Sequence, residues 1–234
     1  MISDSVREWG RDDIPAWHDV HEFIHGACPK CQSDRTKRMW QLLGSHGSTK
    51  VRTEYADSFK WRVLNCRLAT GSDDTSRRDF EAWLFFARGA LDCEAVFINE
   101  LCGLAVDERN TNIFTVTDAV VDAGKWPELE VPLRAHIGHR TRTPWLVHLN
   151  DLRRLSSHRQ VVSTSKFVYI GSQGPELPDA SFVSPVPSAR GRHVHAREWG
   201  IGEYAIEKQA KVVAAIEDME RVFLLYLRTG KVCV

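Results

Sequence analysis

Residues 78–101 read RDFEAWLFFARGALDCEAVFINEL, and this stretch decides the fold class. Phe80, Trp83, Leu84, Phe85, Phe86, Leu91, Val96, Phe97, Ile98 and Leu101 leave almost no polar side on a 3.6-residue repeat. A helix apolar nearly all round belongs at the centre of a bundle of other helices. Gly103 lies just past its end, where a helix stop is expected. The run from Ala82 to Leu91 is interrupted by Arg88 and is too short to span a bilayer. Arg88 and Asp92, one turn apart inside it, are expected to pair with each other, with lining a site as the alternative.

Downstream, a loop leads to a shorter helix over Asn112–Ala123, stopped by Gly124, and Pro127 and Pro132 frame a further piece ending near Ile137. Pro144 opens a helix from Trp145 to about Ser157, with Trp145, Leu149 and Leu152 on one face. From Glu203 to Leu227, Val212, Ile216, Met219, Phe223 and Tyr226 recur at spacings of three and four, which predicts a long amphipathic helix. Between these last two helices the character changes. Val161-Val162 and Phe167–Ile170 look like strands, and residues 171–191 carry four prolines and three glycines, so a long loop or small hairpin is expected.

Upstream, the turn and capping cluster that starts at Gly71 marks a boundary. It divides the chain into a helical N-terminal extension at 1–72 and an all-α bundle at 73–234. Within the extension, Asp13-Ile14-Pro15 starts a helix whose apolar positions are Ile14, Trp17, Val20 and Ile24, and Gly26 stops it. A short helix is expected from Asp34 to Leu43, ended by Gly44. Residues 45–72 are left between strand and helix, because periodicity does not decide there.

Composition narrows the class. Lys+Arg and Asp+Glu are both 31, so net charge gives no argument for nucleic acid, and any such contact must come from a local patch. The N-terminus is polar and acidic with no apolar core, unlike a secretory signal. The six cysteines, three of them inside apolar segments, are read as reduced thiols. The expectation is a soluble, cytoplasmic protein without a membrane contact.

Polar chemistry concentrates on the helix at 145–159, WLVHLNDLRRLSSHR, which contains Arg153-x4-His158. Three features together resemble the HEPN family of small helical-bundle domains: the long apolar helix FEAWLFFARGALDCEAVFINEL, the later helix of form W-x3-L-x2-L-R-x4-H, and the closing amphipathic helix. The resemblance covers roughly residues 75–230. It implies metal-independent RNA cleavage by attack of a 2′-hydroxyl on the adjacent phosphate, in a homodimer, with an antitoxin or other regulatory partner. By position, Arg153 would hold the phosphate through its planar fork of donors and His158 would move the proton near neutral pH. Arg154, Arg159 and Arg140 would add substrate contacts. Arg154 stands where the family usually has Asn, Asp or His, and this favours the alternative of a non-enzymatic interaction protein. Residues five apart lie about 140° apart on a straight helix, so Arg153 and His158 converge only if the helix ends or distorts between them. The bland reading is a basic helix end that offsets the dipole.

Two mixed His/Arg clusters flank this helix in sequence: Arg134, His136, His139, Arg140 and Arg142 before it, and Arg190, Arg192, His193, His195 and Arg197 after it. Either is a local positive field for RNA phosphates or ordinary loop solvation. No cofactor is expected for the cleavage chemistry. His18, His21 and His25 share a helical stripe, and Cys28 and Cys31 follow. His21, His25, Cys28 and Cys31 therefore form a candidate structural zinc site, which would make the chain a zinc-dependent nucleic-acid binder.

Overall fold

The computed structural model describes residues 14–26, 34–65, 73–157, 164–165, 181–183 and 198–232. In chain order these form α1 (Pro15–Gly26), α2 (Asp34–Asn65), α3 (Asp73–Cys102), a short 3-10 turn (Glu108–Asn110), α4 (Ile113–Ala123), α5 (Pro127–His136), α6 (Pro144–Ser157), β1 (Thr164–Ser165), β2 (Ser181–Val183), β3 (Glu198–Gly200) and α7 (Ile201–Thr229). The expected all-α, helical-bundle character holds. Between α6 and α7, the expected loop or hairpin contains three very short antiparallel strands in the order β1-β2-β3, with Phe182 opposite both Thr164 and Trp199. The strand-like segments 161–162 and 167–170 lie outside the described residues.

The largest departure is α2. It runs unbroken through Gly44 and Gly47 to Asn65, where a short helix and an undecided segment were expected. Glycine costs a helix about 1 kcal/mol relative to alanine, and two of them are tolerated when tertiary burial compensates. That burial falls on Leu42, His46, Thr49, Thr53, Ala56, Lys60 and Val63, spaced four and three alternately. The stripe is helical but largely polar, so apolar periodicity could not reveal it.

The chain divides into two compact units, each assembled from separated stretches. One comprises residues 1–54, 89–142 and 211–234, the other 55–88 and 143–210, so α2, α3 and α7 each give a segment to both. The division expected at 72/73 falls at the edge of residues outside the description.

In the first unit, Ile14, Trp17, Val20 and Ile24 of α1 are buried, as are Ile98, Leu101, Ile113, Val116, Val120, Leu129, Leu133, Ile216 and Met219. Phe97 meets Phe223 edge-on at 5.3 Å. Helix α4 starts with a reciprocal capping box between Asn112 and Thr115, and Asp92 accepts the Ile113 N–H at 3.2 Å. Gly138 has φ +85, and a Cβ there would lie 2.2 Å from the Thr141 carbonyl oxygen, so only glycine fits this bend. Arg142 closes the same bend by donating to Asp118 Oδ1 at 2.8 Å and to the Gly138 carbonyl at 2.7 Å.

In the second unit, Phe80, Trp83, Leu84 and Ala87 of α3 are buried, with Leu146, Leu149 and Leu152 of α6 and Ile201, Tyr204 and Ala205 of α7. Trp83 stacks on Phe80 at 5.6 Å, meets Tyr204 edge-on at 5.9 Å and donates to Gln209 Oε1 at 3.2 Å. The apolar face of α6 is thus Leu146, Leu149 and Leu152, with Trp145 only half-buried beside it.

Candidate functional site

Helix α6 carries the sequence motif as far as it is described. Leu149 and Leu152 anchor one face of the helix in the core, which turns Arg153 and Arg154 toward its flanks. Arg153 is half-buried, and its guanidinium lies 5.6 Å from the centroid of Phe85 on α3. At this distance the ring face attracts the cation, which keeps its charge. Arg154 is exposed beside it. Burial raises the Asp151 carboxyl above its usual range, and the charge of Arg154 opposes this. His158 and Arg159 lie outside the described residues, so Arg153 and Arg154 are the motif residues with a described setting.

The same helix presents His148 to α7. Its Nδ1 shares a 2.8 Å hydrogen bond with the Tyr204 hydroxyl. Burial lowers the imidazole's pKa, helped by the charge of Lys208, and burial pushes the Tyr204 phenol up. Lys208, itself buried, ion-pairs with Glu207 at 2.7 Å and sits 5.2 Å from the Tyr204 ring centroid. The sequence reading did not single out His148, whose signal was its place one turn before Leu152 on a helix with a known apolar face.

The basic cluster at 134–142 is laced with carboxylates. Arg134 pairs with Glu130 at 3.3 Å, His136 with Asp218 at 2.8 Å, and His139 and Arg140 with Asp122 at 3.0 and 3.3 Å. Burial raises the Asp118 carboxyl, but the hydrogen bonds from Arg142 and the Arg140 N–H outweigh it and hold the group below its usual range. Arg140 is exposed and belongs to this network. The second cluster, at 190–197, lies outside the described residues.

A group the sequence reading missed sits in the core of the first unit. His46 of α2 is fully buried, and its Nε2 shares a 2.8 Å hydrogen bond with Glu220 Oε1 of α7. Burial lowers the imidazole to about 3. It also raises Glu220 well above the carboxylate range, helped by the charge of Glu217. The contact has ion-pair geometry, but the cost of burying two charges makes it a neutral hydrogen bond. Glu94 of α3 is likewise fully buried and raised, first by burial and then by the charge of Glu220. Thr49 and Glu220 lie within hydrogen-bonding reach of the Glu94 carboxyl, Thr49 acting to lower its pKa and Glu220 to raise it. Trp17 covers the cluster: its indole donates to the His46 carbonyl at 3.0 Å and stacks on the imidazoles of both His46 and His21 at 4.5 and 4.6 Å. Those two imidazoles are only 5.6 Å apart, so they share one face of the indole.

His21 of the candidate zinc set is therefore held in a stack, with its Nδ1 3.4 Å from His46 Nδ1. His25 is exposed at the end of α1, and Cys28 and Cys31 lie outside the described residues. Among the described residues, no three His, Cys, Asp or Glu side chains are grouped as metal ligands would be. Cys93 and Cys102 are free thiols, and burial pushes Cys102 up to about 12. Among the described residues no helix is long and apolar enough to cross a membrane. Comparison with protein-family models, with curated proteins and with solved structures gave no match.

Proposed function

We propose that this chain is a metal-independent ribonuclease, or an RNA-binding relative of one, of the HEPN-like type, acting as a homodimer. The observation that supports it best is the setting of Arg153. It lies on a helix anchored through Leu149 and Leu152, and its guanidinium is held across the Phe85 ring with Arg154 exposed beside it. Such a preoriented cation is what a pentacoordinate phosphate needs, and its sequence partner His158 supplies the group that titrates near neutral pH. A two-fold axis would double this sparse donor set and make a cleft of it. An antitoxin or other regulatory partner belongs to the same reading.

A second reading, a non-enzymatic interaction protein, is favoured by Arg154 in place of the usual small polar residue or histidine. The zinc-dependent binder is a third, and needs Cys28 and Cys31 as ligands.

The test is cleavage of single-stranded RNA by wild type, Arg153→Ala and His158→Ala in EDTA, with DNA of the same sequence as control. Each substitution is expected to cost on the order of 10²-fold or more. DNA should remain intact because it lacks the 2′-hydroxyl. Equal degradation of RNA by wild type and His158→Ala sinks the enzymatic reading and leaves the interaction protein in its place.

A further inference from the structure

In the second unit, one flank of α2 and α3 carries a run of aromatic rings bounded by arginines. Tyr55, Phe59 and Arg62 share one stripe of α2, at i, i+4 and i+7. Phe86 of α3 is the hub of the run. It meets Tyr55 at 5.0 Å, stacks on Phe59 at 5.6 Å with planes 7° apart, and meets Phe85 edge-on at 5.4 Å. A guanidinium closes each end, with Arg62 5.2 Å from the Phe59 centroid and Arg153 5.6 Å from that of Phe85.

These rings are not core. Tyr55 is 52% exposed and Phe85 44%, and Phe59 and Phe86 are half-buried. A single exposed ring needs no explanation, but four contiguous ones do. The charges around them favour an anion. Arg78 is exposed on the Phe85 face of α3, one heptad before it. Of the nearby acids, Asp79 is buried against Arg62 at 3.7 Å, Asp57 is buried against Lys60 at 2.7 Å, Glu81 is half-buried, and Glu54, exposed next to Tyr55, pairs with Lys50 at 3.9 Å.

We infer that Tyr55, Phe59, Phe86 and Phe85 form a stacking platform for the bases of single-stranded RNA, with Arg62 and Arg153 on the phosphates at its two ends. Every base has a π-face, so such a platform is tolerant of sequence, and it selects unpaired strands because paired bases hide their faces. This inference rests on the RNA reading of Arg153 and adds a substrate class to it: unpaired RNA, bound without regard to sequence on one side of the motif arginine.

Tyr55 gives the cleanest test, because it is the most exposed ring of the run and packs on Phe86. The probe is a short 2′-O-methyl single-stranded RNA carrying 2-aminopurine, which binds without being cut and loses fluorescence when its base stacks. With full-length protein, Tyr55→Leu is expected to weaken binding about five-fold or more and reduce the quench, while Tyr55→Phe keeps both. Thermal melts of both variants separate lost packing against Phe86 from lost base stacking: Tyr55→Leu should melt close to wild type while its quench falls. If wild type binds and Tyr55→Leu matches it in affinity and quench, the platform is wrong and the RNA reading stands. If wild type binds no RNA, both fall. A change in oligomer mass with unaltered quench makes this flank a protein interface and overturns the platform.

Discussion

Replacing Glu94 by Gln keeps the side chain's size but removes a proton that burial forces the native carboxyl to hold. Glu94 is fully buried beside Glu220, and its pKa lies well above the ordinary 4.5, by burial first and then by the Glu220 charge. The native state therefore binds more protons than the unfolded chain from about pH 4.5 up to the native pKa. Stability falls as pH rises through that window. The slope for one group is about 1.4 kcal/mol per pH unit once the unfolded carboxyl is mostly ionised. Above the ordinary carboxyl range the wild type should therefore lose stability with rising pH more steeply than Glu94→Gln does. His46, lowered to about 3, acts in the opposite sense: its stability is present above about pH 6.5 and is lost as pH falls toward 3. That contribution is common to both proteins and cancels in the comparison, whereas Glu220 is raised too and interacts with Glu94, so the slope difference reads the Glu94–Glu220 pair. The amide alters the hydrogen bonding with Thr49 and Glu220, a cost that shifts overall stability, so the readout is the difference in slope. Thermal melts monitored by circular dichroism at half-unit steps of pH would measure it. A wild-type-minus-variant difference that stays flat across the window would show that Glu94 does not hold its proton, and would refute the neutral description of the cluster.

Gly138→Ala should destabilise by about 1–3 kcal/mol, because φ is +85 and the new Cβ would lie 2.2 Å from the Thr141 carbonyl oxygen. A melting temperature within 1–2 °C of wild type, less than about 1 kcal/mol, would show that the 138–142 bend relaxes freely. Light scattering should return twice the 26.6 kDa chain mass, and a monomer at every concentration would remove the dimer and weaken the nuclease reading with it. Metal analysis of protein purified without chelator should find at most one zinc per chain. Stoichiometric zinc that disappears in a Cys28→Ser, Cys31→Ser variant would identify the N-terminal His/Cys set as a real site.

How much was legible depended on where apolarity and burial coincide. Helices α3, α4, α6 and α7 were readable because their buried positions are mostly Leu, Ile, Val and aromatic residues between recognisable stops such as Gly103, Gly124 and Gly230. Helix α2 was not, because its buried stripe is built on His46, Thr49, Thr53 and Lys60, residue types that read as solvated. Glu94 and Glu220 were hidden for the same reason, although a signal existed. Glu94 lies one turn from Leu91 and Ile98, and Glu220 one turn from Ile216 and Phe223, so each sits on its helix's apolar face. A charged residue on such a face is a candidate for burial, and its partner is fixed by packing that a linear reading does not contain. Arg153-x4-His158 is a pattern of the sequence, and the ring beside Arg153 was not legible there, because Phe85 on an all-round apolar helix looked like core.

The central claim is that the motif cleaves RNA through the substrate's own 2′-hydroxyl, without metal. Attack of that hydroxyl on the adjacent phosphate breaks the bond to the 5′-oxygen and leaves a 2′,3′-cyclic phosphate on one fragment and a 5′-hydroxyl on the other. The direct measurement is end-group analysis of the products formed by wild type in EDTA, beside a substrate carrying one 2′-deoxy nucleotide at the cleaved position. The account predicts cyclic-phosphate and 5′-hydroxyl ends, loss of cleavage at the deoxy position, and product formation reduced on the order of 10²-fold or more in His158→Ala. Products with 5′-phosphate ends, cleavage that persists at the deoxy position, or RNA left intact by wild type would contradict it.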